Sequence, residues 1–330
     1  MRNFVCLLAV VCGGCGDGIG FTGHLAAGTT AGILAAAQPS LQQESDYELA
    51  SRAIPGALKT IEGFYVADAS EPLREILAEG YCQYANAFVE DEWEQAKLDH
   101  RRADEAYHGK RASNMYTRCL NYALAKFDAA FAKDLYGATE VAIARVNTVK
   151  RGTGKRTPLM WIGVGLGGVL NHNLDRSDAV AYLGVVKAIL EHVVAIDAAD
   201  YGPGFDGPKR KDCDAPCTVR LALPHIALGM VYTATGPQFG GDPKRAESEF
   251  RTALKITSDA KHPDGRMLLA RVLLAYRVGV ITNDRNLFHA ELVKVLQTDP
   301  AIWPEERLAN EVAHRKARRY LAHEKDFFGK

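Results

Sequence analysis

The chain has 330 residues, 47% hydrophobic and 24% charged, with 40 basic and 40 acidic side chains and a formal net charge of +0. This is globular composition, long enough for one large domain or two small ones. The charge balance argues against a nucleic-acid or membrane-surface binder, which would carry a basic excess.

The start reads MRNFVCLLAVVCGGCGDG, with Arg2 ahead of an apolar run from Phe4 to Val11. That run is far short of the roughly 20 residues that cross a bilayer. A charged start, a short apolar core and small residues together read as an export signal. Gly13-Gly14-Cys15 sets two small residues before a cysteine, as a bacterial lipoprotein signal does. Cys15 is the expected lipid attachment site; for Cys12, Val11 would occupy the cleavage position. Gly16 rather than Asp follows, which in similar lipoproteins goes with the outer membrane, and two or more acyl chains anchor stably. Residues 1–15 are therefore read as a lipoprotein signal peptide. Residues 16–45, rich in Gly, Ala, Thr and Gln, are read as a flexible tether, and 46–330 as the folded body.

From Asp46 onward, three-to-four-residue periods dominate and two-residue alternation is nearly absent. Asp46 to Val66 sets Leu49, Ala53, Ala57, Leu58 and Ile61 on one stripe, with Pro55 expected to kink or break it. Leu73 to Glu92 carries Leu77, Tyr81, Tyr84 and Phe88 on one stripe, and Arg111 to Ala130 follows the same rule. Thr157-Pro158, Asp242-Pro243 and Trp303-Pro304-Glu305-Glu306 are helix starts. The fold class expected is all-α, with roughly eleven to thirteen helices.

His225-Ile-Ala-Leu228-Gly229-Met-Val-Tyr232 followed by Ala246 and Phe250 matches the two-helix signature of tetratricopeptide repeats, W-x2-L-G-x2-Y and A-x3-F. In that pattern Gly229 lets two backbones approach, while Tyr232 and Phe250 fill the space between them. Phe288, Leu292, Val295 and Leu296 repeat the second-helix spacing, as do Val186, Leu190, Val193 and Val194. The offsets are irregular, which makes the array a degenerate one with long loops.

Few motifs carry chemistry. Gly163-Val-Gly165-Leu-Gly167-Gly168 satisfies G-x-G-x-x-G, but no strand precedes it, so it reads as the small-residue face of a helix. RGTGKRT at 151–157 lacks the Ser/Thr and first glycine of a phosphate loop and reads as a solvated basic loop. HRKARRY near the C-terminus is basic, with acidic residues on nearby helices expected to offset it, and reads as a solvated or interprotomer face. No nucleophile–base set and no metal-ligand set stands out, so no catalysis and no cofactor are expected. In an exported chain Cys213 and Cys217 are expected to form a short-loop disulfide. Cys82 and Cys119 stand on separate helices, either paired or as buried thiols.

Several segments, in order, resemble the TatT family, the tetratricopeptide-like T-component lipoproteins associated with TRAP transporters. They are AIPGALKTIEGF with Pro55 and Glu62, EGYCQYANAFVE with Tyr84 and Phe88, RASNMYTRCLNYAL with Arg111 and Tyr116, PLMWIG with Trp161, GGDPKRAESEFRTAL with Ala246 and Phe250, and ERLANEVAHRKARRYL with Asn310 and Arg315. The resemblance spans about residues 46 to 328. It implies a periplasmic lipoprotein forming a homotrimer with an apolar cleft, acting with a periplasmic substrate-binding protein in uptake of small hydrophobic organic ligands. After Trp161 the run IGVGLGGVL is glycine-rich where the family carries larger residues, which leaves room in such a cleft, and the insertion FDGPKRKDCDAPC is unusual. Candidate groove residues are Tyr84, Phe88, Trp161, His225 and Tyr232. The alternative is a general envelope scaffold that holds peptides or assembly partners in its concavity, without a transporter.

Overall fold

A computed structural model describes residues 21–173 and 177–329. Among these the chain is helical, with no strand. In order the helices are α1 (Phe21–Gln42), α2 (Tyr47–Ala67), α3 (Glu71–Tyr84), α4 (Glu90–Leu98), α5 (Arg102–Leu124), α6 (Ala129–Leu135), α7 (Thr139–Val146) and α8 (Arg156–Asn171). They continue with α9 (Ser177–Tyr201), α10 (Ala215–Tyr232), α11 (Pro243–Ile256), α12 (Leu268–Leu273), α13 (Arg285–Gln297), α14 (Arg307–Ala322) and α15 (Glu324–Phe328). Aspartates cap five of them by accepting an orphan backbone N–H: Asp46, Asp128, Asp214, Asp242 and Asp284.

The most extensive helix packings are α5 on α8, α8 on α9 and α10 on α11. The glycines after Trp161 explain the closest approaches. A Cβ on Gly168 would fall 2.4 Å from Cγ of Tyr116 on α5, and one on Gly163 would fall 2.9 Å from Ile189 on α9. The G-x-G-x-x-G run is thus a two-sided contact stripe of one helix. Gly229 has the same role: its Cβ would meet the Phe250 ring at 2.6 Å. The stripes of α9, α11 and α13 are buried at Val186, Leu190, Val193, Ala246, Phe250, Phe288, Leu292 and Val295.

Other expectations are corrected. The segment around Pro55 is one helix, not a broken pair, and its packed face is rotated: Leu49 is 54% exposed while Ala50, Leu58 and Ile61 are buried. Where a tether is expected, Phe21–Gln42 is helical and packs on α2, α3 and α14, with Ala31 buried. The proposed signal peptide and Cys15 lie outside the described residues. Arg156 of the supposed solvated loop is buried, donating through Nε to Asp197 Oδ1 at 2.9 Å and through Nη2 to the Arg220 carbonyl at 2.8 Å. Disulfides join Cys82 to Cys119 (Cα–Cα 5.4 Å), tying α3 to α5, and Cys213 to Cys217 (5.2 Å).

The basic C-terminal stretch is not a solvated face. Arg315, Lys316 and Arg319 on α14 reach Asp91 and Glu94 on α4, with Arg315 Nε to Asp91 Oδ2 and Lys316 Nζ to Glu94 Oε2 both at 2.6 Å. Tyr320 donates to Glu94 at 2.9 Å, and Tyr47 donates to Asp91 at 3.2 Å. Burial by itself would raise the Glu94 carboxyl, but Lys316 and Arg319 outweigh it and hold it down at about 2. This clasp joins α14, the last long helix, to α4 and α2, and all three also border one cavity.

Candidate functional site

Two π turns, of five and six residues, interrupt the helices: Ala85–Val89 between α3 and α4, and Leu274–Gly279 after α12. A π turn adds a residue to one turn and so re-aims the side chains on it, and such turns recur at functional sites. Here the first brings Asn86, Ala87 and Phe88, and the second Arg277, to the wall of one cavity.

That cavity has a volume of about 300 Å³ and is walled by α2, α3, α8, α9, α10, α12 and α14, with Gln38, Leu41 and Gln42 of α1 at its edge. Its wall is mainly apolar, with Leu58, Ile76, Val186, Leu190, Met230 and Leu273 among its members. Such a lining with few polar groups is the ordinary make-up of a small-molecule pocket.

Of the candidate groove residues, Tyr84, Phe88 and Trp161 come together on this wall. The Tyr84 and Phe88 rings pack in a tilted pair at 5.5 Å between centroids, and Phe88 also meets Tyr47 at 5.0 Å. Trp161 is 4% exposed, and its indole N–H has no hydrogen-bond partner. Gly163, Gly167 and Gly168 beside it also line the space. A Cβ on the first or last would strike a neighbouring helix, so these glycines first serve helix packing.

His225 and Tyr232 do not line the cavity. They lie on the flank of α10 that meets α11 and α9, where His225 Nδ1 pairs with Glu249 at 2.6 Å and Tyr232 donates to Glu191 at 2.9 Å. The cavity face of α10 is instead Leu223, Ile226, Ala227, Met230, Val231 and Ala234. The helix is buried on two sides, and a single stripe cannot tell which side meets ligand.

Three charged groups on the wall carried no signal in the sequence. Glu79 and Glu306 are half-buried there; desolvation pushes Glu79 up to about 7 and Glu306, with Glu79 and Glu305 adding to it, up to about 8. Arg277 is the third. Glu90 also borders the cavity, held by His172 Nε2 at 2.8 Å and by the Asn86 amide at 3.0 Å. Among the described residues no group of three or more His, Cys, Asp or Glu side chains is placed to hold a metal ion, and no helix is long and apolar enough to cross a membrane.

An uncharacterized protein of Treponema pallidum (strain Nichols) is 25% identical over 295 residues, covering 87% of this chain and 81% of that protein. The family model for the TRAP transporter T-component matches residues 43–205 and 221–328, two stretches that contain almost the whole cavity wall and both halves of the α4–α14 clasp. The chain belongs to the TRAP transporter T-component family.

Proposed function

We propose that this chain is a non-catalytic, lipid-anchored accessory of a TRAP-type uptake system, which holds a small hydrophobic organic ligand in its cavity and exchanges it with a periplasmic substrate-binding protein. The observation that carries the reading is the partly enclosed, mainly apolar cavity built by packing devices of the helical array itself: the glycine contacts of α8, the two π turns and the clasp between α4 and α14. Membership of the T-component family supports the link to TRAP transport. The Gly13-Gly14-Cys15 signature supports a lipid on Cys15, which would hold the chain at the periplasmic face of the outer membrane. A homotrimer is part of the reading, since helical arrays leave faces to cover.

Cross-linking in the native cell followed by capture of the tagged chain tests the partner. Enrichment of the substrate-binding protein of a TRAP system is the expected result. Capture of envelope assembly factors with no such protein would favour a general scaffold instead.

A further inference from the structure

Among the described residues the three buried guanidiniums are paired, and two half-buried ones, Arg210 and Arg220, spend their N–H groups on hydroxyl or carbonyl oxygens. Arg156 meets Asp197, Arg271 meets Glu291, and Arg319 meets both Asp91 and Glu94. Arg277 borders the cavity, its Nε is buried without a hydrogen-bond partner, and no carboxylate among the described residues lies within ion-pair distance of it. Its nearest aromatic contact is the neighbouring Tyr276 ring, 5.7 Å away.

The acids near it are already engaged. Glu94 feels the charge of Arg277 but is bonded to Lys316, Arg319 and Tyr320. Asp91 and Glu94 together face three other cations, so the clasp leaves positive charge over. Glu90 is held by His172 and Asn86. Glu79 and Glu306 share the cavity, yet neither lies within ion-pair distance of Arg277, and burial raises both carboxyls, to about 7 and about 8, so their charge near pH 7 is reduced. A half-buried guanidinium without an anion in an apolar wall is costly. A carboxylate matches its planar donor fork in two parallel hydrogen bonds. The Trp161 N–H on the same wall is a second unmet donor.

We infer that Arg277 is the anion anchor of the cavity, whose ligand is a small amphipathic carboxylate with its head at Arg277 and its apolar body against Phe88, Trp161 and Met230. This rests on the reading of the cavity as a ligand site and adds the chemical class of the ligand.

The test is displacement of a neutral fluorescent naphthylamine from the purified full chain at pH 7 by octanoate and by octanol, which share a tail and differ in the head. A charge-assisted pair predicts that octanoate displaces the probe at least about tenfold better than octanol. Arg277→Gln should abolish that preference while leaving octanol unchanged, and Arg277→Lys should keep part of it. Equal displacement by the two in the wild-type chain overturns the inference and leaves the apolar cavity reading standing. A preference that survives Arg277→Gln overturns the assignment to Arg277. Failure of the naphthylamine to bind at all overturns both readings. Should Arg277→Gln unfold, the wild-type octanoate-to-octanol ratio together with Arg277→Lys decides the matter.

Discussion

Trp161 presents one side to packed helices and another to the cavity, and this divides the expected cost of removing it. A fully packed tryptophan truncated to alanine loses about 3–5 kcal/mol. Trp161→Ala is expected to cost less, about 2–3 kcal/mol by the same scale, because part of the ring borders existing space. Chemical denaturation gives the number, and a cost in the upper part of the packed range, about 4–5 kcal/mol, would place Trp161 in the core alone. Glu79 and Glu306 make a second prediction. Their folded values, about 7 and about 8, exceed the ordinary 4.5, so the folded state binds protons that the unfolded state releases. Stability should therefore rise as pH falls from 8 towards 5. Glu94 works the other way: its value is depressed to about 2, so its contribution is complete above 4.5 and is lost as pH falls towards 2. Thermal melts across pH should peak near pH 5, and a Glu79→Gln, Glu306→Gln double variant should flatten only the alkaline limb.

Individual helices were legible in the sequence because each carries its own evidence. The cap at Asp242, prolines in first turns, and stripes such as Leu77–Tyr81–Tyr84–Phe88 are local signals, and the structure realises them. What failed was choosing a face. Leu49 is exposed where Ala50 packs, and His225 and Tyr232 meet α11 and α9, because helices buried on two sides satisfy more than one periodic template. Arg277 gave no signal, since a lone arginine in a helix has no pattern and its meaning comes from the π turn that re-aims it. The packing stripe of α8 yields a direct check. Gly168→Ala places a methyl against the Tyr116 ring and should destabilise by about 1–3 kcal/mol, as overpacking does. A neutral result in a thermal melt would mean that α5 and α8 are less closely packed than described.

Closure of the array belongs to the whole molecule. Asp91 and Arg315 are 224 residues apart in sequence, so no local pattern announces their pairing. The basic stretch on α14 looked like a surface for this reason. Asp91 accepts from Arg315, Arg319 and Tyr47. Asp91→Asn should therefore cost about 3–5 kcal/mol, the scale of breaking a buried pair by removing one partner. Loss of the cavity probe in parallel would show that the clasp holds the enclosure shut.

The central claim is that this enclosure is a ligand site, and probe binding to a filled cavity tests it most directly. Ala227 faces the space from α10, and Ala227→Trp would occupy it. Titration of the neutral naphthylamine is expected to saturate on the wild-type chain and to weaken at least about tenfold on an Ala227→Trp variant that still melts cooperatively. Undiminished binding to that folded variant, or no saturable binding to the wild-type chain, would contradict the account.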